Sequence, residues 1–417
     1  MTASTATTAP LADSRQAWIR LVAALGLMTI GSAAMYVVSV VLPSVQKEFN
    51  VARADASLPY TLLMIGFGVG GIFMGRLADR RGVMLPILIG TVGLAAGFVV
   101  AGLSGGIVGF AVAHGLLLGL AGSSATFAPL VADTSLWFVK RRGTAVAICA
   151  SGNYLAGAIW PPIVQHFIET VGWRQTYIGM GVFCAVTMPL LALAMRARPP
   201  ALVAVAPGRG AGSPTERPFG LSMNAAQALL CVAGVACCVA MSMPQVHIVA
   251  YCGDLGYGAG NGARMLSLML GAGIVSRLVS GVVCDRIGGL RTLLLGSVLQ
   301  GTALLLFLPF DSLASLYVIS ALFGLFQGGI VPAYAIIVRE YFPPAEAGAR
   351  VGTVLMCTLL GMALGGWMSG KVFDLTGSYH AAFLNGLAWN ALNVSIAVFL
   401  LARTRGWIGA KAVPAAT

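Results

Sequence analysis

Arg277 lies inside an apolar run, residues 262–284, about four residues past its centre and so roughly 6 Å from the middle of a helix that rises about 1.5 Å per residue. An arginine at that depth in a membrane costs roughly 2.5–3.5 kcal/mol on insertion scales unless it faces water or an anion. All thirteen Asp and Glu fall in loops or near the ends of apolar runs, so a protein carboxylate is not the expected partner. A guanidinium offers a planar fork that matches a carboxylate through two parallel hydrogen bonds. The chemistry this residue suggests is therefore the binding of a small organic anion. Other polar groups at comparable depth are Tyr36, Asn153, Tyr154, Gln245, His247, Gln327 and Tyr334, each able to hydrogen-bond a substrate or to bond one helix to another.

No catalytic or metal-binding pattern accompanies them. Eight Cys include the adjacent Cys237 and Cys238 but no C-x-x-C, and they read as small apolar residues. Four His are scattered without ligand spacing, and neither a P-loop nor a Gly-x-Ser-x-Gly elbow occurs. The expectation is a protein that is not an enzyme, with no cofactor and no metal, driven by a solute or ion gradient.

The elements that must position these residues follow from composition. Of 417 residues, 58% are apolar and 9% charged, against about 25% charged in a soluble domain. Apolar runs at 18–42, 58–79, 84–103, 107–132, 143–168, 174–195, 224–252, 262–284, 290–309, 313–339, 349–373 and 379–402 match spans of about 20 residues. The net charge of +12 is not gathered on a soluble face, which excludes nucleic acid as a partner. It reports topology instead. Nineteen Lys and Arg fall on the side of the termini, and Lys47, Arg53, Arg174, Arg264 and Lys371 on the other, with Arg277 between. The bias places both termini in the cytoplasm. Residues 1–14 lack a packing pattern and 196–222 is a Pro-, Gly- and Arg-rich linker. Six-helix bundles are thus expected at 15–195 and 223–404, with a tail at 405–417.

An internal repeat supports two halves. Gly75-Arg76-Leu77-Ala78-Asp79-Arg80-Arg81-Gly82 recurs 206 residues later as Gly281-Val282-Val283-Cys284-Asp285-Arg286-Ile287-Gly288. At nearly the same offset, Trp137-Phe138 matches Tyr341-Phe342 and Gly172 matches Gly377. In each motif the first Gly would let helices approach, while Asp79, Arg80, Asp285 and Arg286 would make charge-assisted bonds that break as the halves rock. Gly75, Asp79, Arg80, Gly82, Gly281, Asp285, Arg286 and Gly288 are accordingly conformational-gate candidates.

The repeated Gly-x-x-x-Asp-Arg-x-Gly resembles the loop signature of the major facilitator superfamily of secondary transporters, found between their second and third helices and again between the eighth and ninth. Trp137-Phe138-Val139-Lys140-Arg141-Arg142-Gly143-Thr144-Ala145, running into Ser151-Gly152, resembles the entry to the fifth helix of the monocarboxylate transporters and bacterial oxalate/formate exchangers. Arg277, four residues before Gly281, stands where that branch keeps an intramembrane arginine. The branch's first-helix signature and lysine are absent, with Gly31-Ser32-Ala33-Ala34-Met35-Tyr36 in that region and Lys47 beyond the span. Its acidic residue one turn before the arginine is Gly273 here, and Lys371 lies near the end of span eleven. Coupling is left open between exchange, a proton on substrate or histidine, and facilitation.

The resemblance implies an all-α membrane protein of twelve helices in two pseudo-symmetric six-helix bundles, monomeric in a bacterial cytoplasmic membrane. The expected function is secondary active transport of a small organic anion, a monocarboxylate first of all, by alternating access. The alternatives are transport of a larger aromatic or heterocyclic solute, or a sensor that binds without transporting.

Overall fold

Apolar runs bounded by short polar turns become helices because lipid offers no partner for a bare backbone N–H or C=O. The computed structural model describes residues 13–139, 141–197 and 218–411. Most of the expected N-terminal tail, linker and C-terminal tail lies outside these residues, although the last helix runs on as far as Lys411. In chain order the helices are α1 (Arg15–Phe49), α2 (Arg53–Arg81), α3 (Met84–Leu103), α4 (Ile107–Trp137), α5 (Arg142–Val171) and α6 (Trp173–Met195). The second set is α7 (Met223–Asp254), α8 (Ala259–Ile287), α9 (Gly289–Leu306), α10 (Leu313–Tyr341), α11 (Pro344–Thr376) and α12 (Tyr379–Lys411). Eleven of the twelve are long and apolar enough to cross a membrane by length and composition alone. The remaining one, α5, carries Asn153, Gln165 and His166 among its 30 residues. The chain forms two pseudo-symmetric six-helix bundles, as the spacing of apolar runs predicts.

The repeat has a backbone cause. Gly82 and Gly288, the last residues of the two motif copies, end α2 and α8 with φ of +80° and +83°. That region strains any residue carrying a Cβ, so glycine is required for each turn into the next helix. A second equivalence emerges inside the spans. Helix α4 loosens to π-helical winding over Ala113–Gly122 and a 3₁₀ turn over Ser123–Thr126, whereas α10 breaks at Gly328 and Gly329. Gly122 and Gly328 are again 206 residues apart. Interrupted helices at matching depth in the two halves mark the region where backbone geometry departs from regular winding.

Across the middle, α2 packs on α11 and α5 on α8, and the second part of α1 meets α7. Within the first bundle, a charge pair is fully enclosed. Arg20 donates from Nε and Nη2 to the two carboxylate oxygens of Asp133 at 2.8 and 2.9 Å, with Nη1 reaching the carbonyl of Ala194 at 3.4 Å. The ring of Trp137 covers the guanidinium at 4.7 Å. Arg20 is thus a structural tie between α1, α4 and α6 rather than a loop charge.

Removing one member of such a pair strands the other in low dielectric, which typically costs about 3–5 kcal/mol, whereas replacing both with apolar groups of similar volume is tolerated. Asp133→Ala should sharply lower the melting temperature of the purified protein in detergent, and Arg20→Met with Asp133→Leu should recover most of it.

Candidate functional site

Helix α8 carries Arg277 to the seam between the halves, facing α5 of the other half. The guanidinium donates from Nη1 to the carbonyl of Ala150 at 3.1 Å, and its Cζ stands 4.5 Å from the ring centre of Tyr154. Arg277 is half-buried, and its Nε is enclosed without a hydrogen-bond partner. Among the described residues no carboxylate lies within ion-pair distance of it, the four ion pairs being Arg20–Asp133, Arg53–Asp254, Arg174–Glu48 and Arg350–Glu346.

Two further predicted residues join this group. Tyr36 of α1 donates its hydroxyl to Asn153 Oδ1 at 2.9 Å, and Asn153 Nδ2 rests 3.4 Å from the sulfur of Met35. Asn153 is half-buried, one residue before Tyr154. On the other side, the break in α10 lets Gly328 sit directly on the backbone of Gly273, where any Cβ would collide. That approach sets Gln327 beside α8. Its Oε1 accepts from Gln245 Nε2 at 3.0 Å, and its own Nε2 is buried without a partner.

The other two predicted residues are engaged elsewhere. Tyr334 is fully buried and donates to Asn393 Oδ1 at 2.8 Å, while Asn393 donates to Ser297 at 2.7 Å, a chain that ties α10, α12 and α9 together. His247 has both ring nitrogens occupied, one by the hydroxyl of Tyr379 at 3.2 Å and one by the carbonyl of Gly366 at 2.8 Å. The seam group therefore consists of Arg277, Tyr154, Asn153 and Tyr36, with Gln245 and Gln327 as a second pair.

The gate candidates also look different in three dimensions. Asp79, Arg80, Asp285 and Arg286 are exposed and form no hydrogen bond or ion pair with any described residue. Nothing lies within 4 Å of where a Cβ would stand on Gly75 or Gly281, so these glycines make no close helix approach in this arrangement. In this arrangement the motif charges at this end have no bonded partner among the described residues.

The latch lies at the opposite end of the bundle, in residues the sequence reading passed over. Asp374, at the end of α11, accepts from the backbone N–H groups of Arg53 and Ala54 at 2.8 Å each and so caps the first turn of α2 across the seam. The Arg53 side chain forks onto Asp254 at 3.1 and 3.3 Å, donates to the Tyr379 hydroxyl at 2.5 Å, and lies 4.5 Å from the Phe373 ring centre. The repeat offset would have pointed here. Glu48 and Trp173 stand 206 residues before Asp254 and Tyr379. In the first half Glu48 accepts from Trp173 and, at 2.8 Å, from Arg174 of the same half. In the second half the position after Tyr379 is His380, and the acid takes its cation from the other half.

These bonds between halves run from mid-bundle to the end away from the termini, with Thr61 bonded to Ala363 at 2.9 Å and Ser267 to Ala158 in between. Comparison with known proteins gives the family. The profile of the Major Facilitator Superfamily matches residues 22–313 and 265–413. The chain belongs to the major facilitator superfamily.

Among relatives, it is 26% identical to Monocarboxylate transporter 13 of Rattus norvegicus over 341 residues, 81% of this chain and 77% of that one. It is also 26% identical to the MFS-type transporter opdF of Penicillium oxalicum, over 80% of this chain and 77% of the relative. A solved bacterial homologue of the human lysosomal transporter Spinster, in an inward-facing and unoccupied conformation, superposes with a TM-score of 0.65 over 94% of this chain and 96% of that one at 14% identity. This member of the superfamily is a multi-pass membrane transporter, not an enzyme; its partners are the lipid bilayer and a small-molecule substrate.

Asp374→Asn weakens the cap on α2 and Arg53→Gln empties the acid cup. Spin labels on exposed Lys47 and Lys371 of the purified transporter should show a longer and broader distance distribution in the double variant than in wild type. An unchanged distribution would mean that apolar packing alone holds this end shut.

Proposed function

We propose that the protein is a secondary active transporter of a small organic anion, most of all a monocarboxylate, working by alternating access. The observation that carries the reading is the mid-span guanidinium of Arg277, held at the seam by a carbonyl and an aromatic face with no acid against it. A carboxylate supplies the missing charge and two acceptors in one plane. Asn153, Tyr36 and the Gln245–Gln327 pair offer hydrogen bonds around it.

Alternating access is supported by where the two halves are joined. The Arg53 latch closes one end, the Gly-x-x-x-Asp-Arg-x-Gly motifs at the other are unpaired, and the substrate group lies between. Opening the latch while pairing the motif charges would expose Arg277 to the opposite side. The excess of Lys and Arg beside the termini supports a cytoplasmic location for both, which makes the latched end the outer face and this conformation inward-facing. The wider reading is a monomer in a bacterial cytoplasmic membrane. The name of the rat relative supports the monocarboxylate class.

Uptake of labelled lactate, pyruvate, acetate, oxalate, aromatic acids and riboflavin into proteoliposomes tests the reading. A short carboxylate should accumulate or exchange, and Arg277→Ala should reduce its kcat/KM at least a hundredfold, equivalent to about 2.7 kcal/mol. Transport confined to bulky aromatic or uncharged solutes, and indifferent to Arg277→Ala, would replace the anion site with a structural arginine.

A further inference from the structure

We propose that Tyr154 is the positioning residue of the Arg277 site and that, because its neutral ring stands where a proton-binding acid would otherwise be, the substrate anion crosses without a proton and transport carries uncompensated charge. The proposal rests on the anion reading above and adds the charge of the substrate and the electrical character of the cycle.

Three contacts define the clamp. The Tyr154 ring lies under the guanidinium with 4.5 Å between Cζ and the ring centre. The carbonyl of Ala150, one turn earlier on the same helix, accepts from Nη1 at 3.1 Å. The edge of the same ring fills the space over Gly273, one turn before Arg277 on α8, so that a Cβ there would collide with the Tyr154 ring carbons. Gly273 and Tyr154 are thus a matched pair. The position from which a side chain on α8 would best reach Arg277, four residues earlier, is closed to any side chain while the ring is in place. The Tyr154 hydroxyl makes no hydrogen bond to a described residue, which leaves the ring face as the part of the side chain in use.

A cation–π contact orients a guanidinium without neutralising it. The empty site accordingly keeps one positive charge. His247 offers no substitute base at this position, since both its nitrogens are bonded in the outer latch. A bound monoanion brings the site to zero and a dianion to −1, so singly charged carboxylates fit and doubly charged ones do not. When the loaded site crosses neutral and the empty site returns with its positive charge, each net turnover transfers one negative charge inward. One-for-one exchange transfers none.

Proteoliposomes with a potassium gradient and valinomycin separate these cases, using labelled lactate or pyruvate. An inside-positive potential of about 60 mV should sustain about a tenfold accumulation, the ratio that one charge supports at that voltage. Exchange against internal unlabelled substrate should not respond, and oxalate and succinate should compete at least tenfold more weakly than lactate. Tyr154→Phe keeps the ring and should match wild type within about twofold, whereas Tyr154→Leu should raise KM at least tenfold with a smaller change in kcat. Tyr154→Leu with Gly273→Asp makes room one turn from Arg277 for a carboxylate that can take up one proton with each anion, and net uptake should then follow a proton gradient and lose its response to potential.

Accumulation driven by an inward proton gradient and blind to potential in the wild type would overturn the proposal, as would Tyr154→Leu with unaltered KM. Either result leaves the carboxylate reading standing. A wild-type protein that moves no carboxylate removes both.

Discussion

A guanidinium held between two helix bundles without an acid beside it is the constraint around which this structure is arranged. Desolvating a fixed positive charge is tolerable only where a carbonyl, a ring face and access to water or an anion are all at hand. The seam between α5 and α8 supplies the first two, at Ala150 and Tyr154. It is also the surface along which the halves meet, so whatever satisfies the charge touches both of them. The sparse use of charge elsewhere follows the same rule. Ion pairs are kept at helix ends, or, like Arg20 and Asp133, are enclosed in a bidentate arrangement with no donor geometry to spare.

The same economy explains the backbone irregularities. Twelve helices in lipid have their N–H and C=O groups satisfied internally, and departures are concentrated where neighbouring helices cover them. The π-helical stretch of α4 and the split of α10 fall at equivalent depth in the two halves. In the second half the consequence is direct, because the split sets Gly328 against the backbone of Gly273, one turn before Arg277.

Much of this was legible in the sequence, for reasons that differ by residue. The helices were legible because apolar length is an almost sufficient signal in a membrane. The isolation of Arg277 followed from counting acids, since none of the thirteen lies mid-span. What Tyr154 does was not legible: its depth was evident, but whether it offers a hydroxyl or a ring face depends on side-chain torsions and on the absence of a Cβ at residue 273. Tyr334 and His247 lie at suitable depth yet bond to Asn393 and Tyr379, partners distant in sequence on another helix. The latch at the end away from the termini was hidden more thoroughly. Arg53 and Asp374 are 321 residues apart, and each reads as an ordinary charge at a helix end. The repeated motif was found easily, and in this arrangement its final glycines serve a positive φ while its first glycines face open space.

The source of the cation at the end away from the termini distinguishes the two bundles. In the first half the acid Glu48 is answered by Arg174 of its own half, whereas in the second Asp254 is answered by Arg53 from across the seam and Asp374 by the start of α2. Two copies of the first half would bring two Arg53 side chains together with neither Asp254 nor Asp374 to receive them. Two copies of the second would bring Asp254 and Asp374 together twice over without Arg53. Only the unlike pair closes. Halves similar enough to repeat a motif at a fixed offset are thereby told apart by the charges they set at the seam, and each finds its complement in the other half of the same chain.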